Sequence, residues 1–193
     1  LFCVCDGMGG HAAGEVASSI AVETIAKTAP QSADAARLAA AVEAANAAVI
    51  EAALNGLGKP GMGCTATCAY IENDTLAIAH VGDSRAYLLH EGTLIRVTRD
   101  HSYVEELVDA GEITADEARV HPNRSVITRA LGSDPAMYAD HFTLHIEEGD
   151  RLILCSDGLS SMIPDSDIEN IATQSSTAQI CVDNLVDAAL AAG

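Results

Sequence analysis

Three aspartates each follow a short apolar or strand-like run. Phe2-Cys3-Val4-Cys5 leads into Asp6-Gly7, and Arg151-Leu152-Ile153-Leu154-Cys155-Ser156 leads into Asp157-Gly158. The third, Asp100, comes directly after Thr98-Arg99. A carboxylate at the end of a buried strand is costly unless its charge is compensated. A hard divalent cation does this well, because it binds carboxylate and backbone carbonyl oxygens. At Gly7 no side chain blocks the carbonyl, and the glycines of Gly7-Met8-Gly9-Gly10 let the backbone turn sharply around an ion. The competing reading of Asp6 is a strand-to-helix turn whose carboxylate accepts bonds from local N–H groups. For Asp100 it is a cap on the helix that follows. Three acidic strand ends together favour a site for more than one metal ion, of the kind that activates water.

Five motifs then occur in order: Asp6-Gly-Met-Gly-Gly-His11, Val81-Gly-Asp-Ser-Arg-Ala-Tyr87, Thr98-Arg-Asp-His-Ser102, Ile127-Thr-Arg-Ala-Leu-Gly132 and Cys155-Ser-Asp-Gly-Leu159. Together they resemble the bacterial branch of the 2C-type (PPM) metal-dependent protein Ser/Thr phosphatases, over nearly the whole chain. The resemblance implies Mg2+ or Mn2+, two ions with a possible third. It implies that Asp6 bridges the two ions, that the Gly7 carbonyl binds the second, that Asp157 binds the first, and that Asp100 shares a weaker third ion with Asp157. The reaction implied is hydrolysis of phosphoserine and phosphothreonine by a metal-bridging hydroxide, with a flap over residues 102–125 (Ser102 through Ser125) beside the substrate. The alternative is a pseudophosphatase, a regulatory or phosphoprotein-binding module without turnover.

The sequence departs from that family at several points. Animal members place a histidine directly after Asp-Gly, where this chain has Met8; His11, three residues later, is a weak candidate for general acid and reads better as a helix-terminal residue. Cys64 stands where Thr or Ser is usual. The family's upstream Arg and acidic motif and its downstream Asp-Asn motif are absent. The chain begins at Leu1 inside a strand and stops after a helix, and both ends read as cuts within a larger domain. There is no covalent-nucleophile signature, neither Cys-x5-Arg nor G-x-S-x-G. Asp83 and Arg85 read as corner residues. Arg129 reads as a salt-bridge partner or as a partner for a site carboxylate. His80, His90, His121, His141 and His145 carry no motif and read as surface or strand residues.

The 193 residues are enough for a single domain with a substantial core, and the hydrophobic fraction of 49% fits a globular chain. No run of about 18 apolar residues and no signal-peptide pattern occurs. The net charge of −18 argues against nucleic acid or an anionic membrane as partner. It leaves phosphorylated Ser/Thr proteins, and a cognate Ser/Thr kinase with its substrates, as expected partners, because bound cations invert the field locally. The six cysteines form no C-x-x-C pair. They read as reduced, small buried residues in a cytoplasmic signalling protein rather than as zinc ligands or a disulfide framework.

The elements that would hold these residues follow from periodicity. An opening strand precedes helices over residues 12–29, with Val16, Ile20, Ala21 and Ile25 as its apolar stripe, and 33–55, with Leu38, Val42, Ala45 and Val49. Residues 56–63 read as a flexible connection. Strands are expected at 64–71, 75–81, 85–90 and 93–98, joined by tight turns at Asn73-Asp74, Gly82-Asp83-Ser84 and Glu91-Gly92. Two short helices follow at 102–111 and 114–120, the second with a Thr114/Glu117 capping box. Further strands are expected at 126–129, 138–146 and 151–155. Helices at 165–173 and 177–190 close the chain, the last burying Val182, Leu185, Val186, Ala189 and Leu190. This order is α+β. The resemblance sharpens it to two antiparallel sheets packed as a sandwich, with helix pairs on both outer faces, in one domain over 1–193.

Overall fold

A computed structural model describes residues 1–58 and 61–193; Lys59 and Pro60, in the expected 56–63 connection, lie outside the described residues. Strands β1 (Phe2–Val4) and β2 (Gly7–Met8) precede helices α1 (His11–Thr28) and α2 (Ala35–Leu54). Strands β3 (Gly63–Cys64), β4 (Ala66–Glu72), β5 (Thr75–Val81), β6 (Arg85–His90) and β7 (Thr93–Arg96) follow. Helices α3 (Tyr103–Asp109) and α4 (Ala115–Val120) then lead to β8 (Asp140–His145) and β9 (Arg151–Cys155). Helices α5 (Asp157–Ser160), α6 (Asp165–Gln174) and α7 (Ala178–Ala192) come last. Every strand pair is antiparallel, and the fold is α+β.

The chain divides into two compact units. The first, Leu1–Ser84 with Asp100–Ile146, is built on a sheet of order β1-β4-β5-β8 and the small ladder β2-β3. Against this sheet lie α1 and α2. The predicted face of α2 is the buried one: Leu38, Val42, Ala45 and Val49 are fully covered. In α1 the stripe is shifted. Ala13, Ala17, Ala21 and Ile25 line the core, while Val16 and Ile20 are only partly covered. Alanines at every fourth position let the two helices approach closely, so the small residues rather than the larger ones go inside. Helix α1 stops at Thr28 because Pro30 forces Ala29 out of the helical region, to φ −57° and ψ 146°. Asp34 starts α2 by accepting the Arg37 N–H at 3.0 Å.

The Asn73-Asp74 turn closes β4 onto β5, with Glu72 opposite Thr75. The expected strand from Cys64 is broken at Thr65 into β3 and β4, each with its own partner. The expected strand at 126–129 is not formed; only an isolated bridge joins Ile127 to Ser102. That bridge, with Tyr103 N–H donating to the Val126 carbonyl at 2.9 Å, ties off the segment carrying α3 and α4. The capping box at Thr114 and Glu117 is present in full. Nothing in α4 is buried.

The second unit, Arg85–Arg99 with Glu147–Gly193, holds the sheet β7-β6-β9 and helices α5, α6 and α7. Glu91 and Gly92, at φ 48° and 80°, make the two-residue turn between β6 and β7. Gly82-Asp83-Ser84 does not close a hairpin, since β5 pairs with β4 and β8 whereas β6 pairs with β7 and β9. Tyr87, Ile163, Ile168, Ala172, Cys181 and Leu185 form the core. The expected face of α7 is buried at Leu185 and partly covered at Ala189. Val182, Val186 and Leu190 are exposed, because the helix turns Cys181 and Leu185 inward instead. Among the described residues no helix is long and apolar enough to cross a membrane.

At the end of β6, His90 Nδ1 lies 2.8 Å from Asp150 Oδ1. The hydrogen bond to Asp150 and its charge favour the imidazolium and raise the His90 pKa above the ordinary value. A raised folded-state pKa stabilises the fold fully below the unfolded value of about 6.5, and the effect fades as pH rises through the folded one. We therefore expect His90→Gln to lower the melting temperature at pH 5.5 but to match the parent at pH 9, as followed by circular dichroism. An equal deficit at both pH values would exclude the ion pair as its cause.

Candidate metal centre

Asp6 sits just beyond β1, and its main chain is held on both sides by one residue. The Asp6 N–H donates to Thr65 Oγ1 at 2.9 Å, and the Asp6 carbonyl accepts the Thr65 N–H at 2.9 Å. Thr65 is itself buried, and its hydroxyl lies 2.7 Å from Ser84 Oγ. This is why the strand breaks at Thr65: the residue leaves the ladder to clamp Asp6. Gly7 follows in β2, paired with Cys64. A Cβ on Gly7 would run into the carbonyl group of Gly14 in the first turn of α1, and one on Gly14 would meet Gly7 at 2.7 Å. Gly7 is thus required by close backbone approach, while the sharp turn is made by Gly9 and Gly10 at φ 108° and 86°.

Asp100 is also in the first unit, buried, directly before His101. His101 is fixed at four points. Its N–H donates to the Gly82 carbonyl at 2.8 Å, and its carbonyl accepts the Thr128 N–H at 2.9 Å. Its ring Nδ1 accepts the Gly82 N–H at 3.0 Å, and Nε2 lies 3.0 Å from Asp140 Oδ2. A backbone N–H can only donate, so Nδ1 carries no proton, and the ring is the neutral tautomer that donates from Nε2. Asp140 receives a second donor, Arg129 Nη1, on Oδ1 at 2.6 Å. Burial works against ionisation of Asp140, but the bonds from His101 and Arg129 outweigh it and hold the carboxyl below its usual range. The Arg129 guanidinium also lies 4.1 Å from the centre of the Tyr138 ring.

His80 is a strand residue of β5, one of its two expected settings, but what sequence reasoning does not show is its burial beside His101. It is fully buried, with its ring 4.9 Å from that of His101. Thr67 Oγ1 donates to the Ser84 carbonyl at 3.1 Å and so accepts at 2.9 Å from His80 Nδ1, which carries the proton. The only advance signal was a polar residue inside an otherwise apolar strand, Leu76 to Val81.

In the second unit, β9 delivers Asp157, not to a turn but to the first position of the four-residue helix α5, behind Ser156 as N-cap. Arg85 is built into that unit. It donates to the Tyr87 hydroxyl at 2.9 Å, and this hydroxyl in turn donates to Asp165 at 2.9 Å. Burial is the main influence that pushes the Tyr87 pKa up, which keeps it a donor. Asp83 is buried, in line with a corner role. His121 accepts the Asn123 N–H, His141 lies against the Ala139 carbonyl, and His145 lies 3.6 Å from Asp74 on the surface. The side chain of His11 lies outside the described residues.

The ligands expected from the sequence, three carboxylates and the Gly7 carbonyl, are all hard oxygens, a chemistry that fits Mg2+ or Mn2+ rather than zinc. Among the described residues no group of three or more His, Cys, Asp or Glu is arranged to hold an ion by itself.

The Listeria welshimeri serine/threonine phosphatase stp is 38% identical over 178 residues, 89% of this chain and 71% of that protein. The Mycobacterium tuberculosis serine/threonine protein phosphatase PstP is 42% identical over 174 residues, 87% of this chain but 33% of that protein. The crystal structure of M. tuberculosis PstP/Ppp superposes with a TM-score of 0.91 at 39% identity, covering 99% of this chain and 82% of that one. The PstP catalytic domain in complex with two manganese ions gives a TM-score of 0.89 at 36% identity, covering 99% and 81%. The protein phosphatase 2C profile matches residues 1–193, and the chain belongs to that family.

Proposed function

We infer that this chain is a metal-dependent protein serine/threonine phosphatase. The observation that carries this reading is Asp6, clamped by Thr65 at the head of a chain that matches the 2C family throughout. Relatives named as phosphatases, one of them holding manganese, favour the enzyme over a binding module without turnover. The match of one family profile across residues 1–193 supports reading the two compact units as a single catalytic domain.

The proposed ligands are Asp6, the Gly7 carbonyl and Asp100 from the first unit and Asp157 from the second, for two ions and a third at Asp100 and Asp157. Bound there, Mg2+ or Mn2+ offsets the roughly two negative charges of a phosphoserine ester and lowers the pKa of water. The chain's own work is positional. Thr65 sets the main chain of Asp6, and His101 sets that of Asp100. Ligands fixed in advance lose little freedom when the substrate arrives. The substrates that follow are phosphorylated Ser/Thr proteins, among them those of a cognate Ser/Thr kinase. The net charge of −18 and the free cysteines favour a cytoplasmic setting. The segment carrying α3 and α4, tied at residues 102 and 127 and little buried between them, is the proposed flap beside the substrate.

Three outcomes are expected. Asp157→Asn, nearly isosteric, retains the fold by circular dichroism but hydrolyses a phosphothreonine peptide at less than about a tenth of the parent rate. Retention of most of the rate would remove Asp157 from the ligand set. Activity disappears on exhaustive chelation and returns with Mn2+ or Mg2+ but poorly with Zn2+; turnover that survives chelation would exclude metal-assisted hydrolysis. Thr65→Val, which removes the hydroxyl but keeps the shape, weakens Mn2+ binding measured calorimetrically by about 10–100-fold, as loss of a ligand-orienting contact does. Unchanged Mn2+ affinity in a folded Thr65→Val protein would show that the clamp does not serve the metal.

A further inference from the structure

Four of the six cysteines lie in one row inside the first unit. Cys3 Sγ is 3.1 Å from Cys68 Sγ and 3.4 Å from Cys5 Sγ, and Cys5 meets the Cys64 thiol in turn. All are free thiols. The β register explains the closest contact, since Cys3 of β1 stands directly opposite Cys68 of β4. Directly opposed residues in an antiparallel ladder have Cα atoms about 4.5–5.5 Å apart, inside the window of about 4.4–6.8 Å that a disulfide needs. The two sulfurs are only about 1 Å beyond the bond length of about 2.05 Å, a gap that small side-chain rotations can close. Access is one-sided. Cys68 is fully buried, whereas Cys3 is half-buried.

We propose that Cys3 and Cys68 are a redox-reversible cross-strand pair, converted to a disulfide by a peroxide and restored by a thiol reductant. Hydrogen bonds from the Cys5 and Cys68 thiols favour the thiolate at Cys3, the form that reacts. The Cys3 thiolate attacks the O–O bond of hydrogen peroxide; one oxygen stays as sulfenic acid and the other leaves as hydroxide, which takes a proton to become water. Cys68 then attacks the Cys3 sulfur, the S–S bond forms, and the sulfenic oxygen leaves as a second water once protonated. Two thiols have lost two protons and two electrons, and one peroxide has become two waters. A pair of this kind suits a reducing compartment, where disulfides are transient and act as sensors rather than staples. The small spacing between the sulfurs also favours a disulfide over a four-sulfur metal site.

The test does not depend on phosphatase activity. The reduced protein is titrated with hydrogen peroxide, its remaining thiols are alkylated, and its peptides are mapped by mass spectrometry. We expect the count of alkylated thiols to fall by two from six, a linked peptide pair that joins Cys3 to Cys68, and full recovery with dithiothreitol. Cys3→Ala and Cys68→Ala should each abolish the link, and Cys181→Ala should leave it intact. Cys3→Ala, at the half-buried position, keeps the comparison valid if the fully buried Cys68→Ala does not fold. The proposal is overturned if Cys3 remains alkylatable at peroxide levels that oxidise a small thiol, if it is driven to sulfinic acid without a link, or if it is joined to Cys5 instead.

Discussion

The two hydrogen bonds between Thr65 and the main chain of Asp6 are the constraint on which the rest of the first unit depends. Asp6 lies past the last residue of β1 and before the short ladder of β2, where no sheet partner fixes it. Thr65 supplies both missing bonds, but to do so it has to be buried, and a buried hydroxyl needs a partner of its own. Ser84 meets that need. Its carbonyl then takes the Thr67 hydroxyl, which is in turn bonded to His80. Each polar group is satisfied by the next. Removal of any one takes a hydrogen bond from its buried neighbour, at a net cost of about 0.5–1.5 kcal/mol.

The same logic holds Asp100. His101 takes the Gly82 N–H on one ring nitrogen and bonds Asp140 through the other, so its tautomer is dictated by its neighbours. Asp140 would resist burial as an anion, and Arg129 makes it tolerable. Arg129 is therefore neither a free substrate anchor nor an isolated surface pair. It is the outer end of a chain of contacts that reaches Asp100 through His101. Gly82 binds His101 on one side and lies against Thr65 on the other, so the supports of the two aspartates meet there.

What the sequence made legible was local. The Asn73-Asp74 and Glu91-Gly92 turns, the Thr114 capping box, the face of α2 and the three aspartates each show in a few adjacent residues. What it concealed depended on partners far along the chain. Thr65 is 59 residues from Asp6, and His101 is 39 from Asp140; their pairing exists only once register is set. His80 reads as an incidental strand residue until Thr67 is placed opposite it. Helix α7 has apolar residues on more than one side, so periodicity could not choose between the Cys181/Leu185 face and the Val182/Val186 face. In α1 the bulky Val16 and Ile20 mark one stripe, whereas close helix packing puts Ala13, Ala17 and Ala21 inside. Cysteine spacing along the chain says nothing of Cys3 and Cys68, which are opposed across a ladder.

The contact between Gly7 and Gly14 has a dynamic consequence. Glycine inside a helix is worth about 1 kcal/mol less than alanine, so the first turn of α1 is intrinsically weak. It is held instead by its seating on β2, and β2 is only two residues long, paired with an equally short β3. Neither piece persists without the other. Unzipping of the ladder and fraying of the helix start are thus one opening event rather than two, and amides on both sides should exchange with solvent at a common rate. Gly7, the residue proposed to offer its carbonyl to a metal, lies inside that breathing segment, so an ion bound there would slow the exchange of both pieces together.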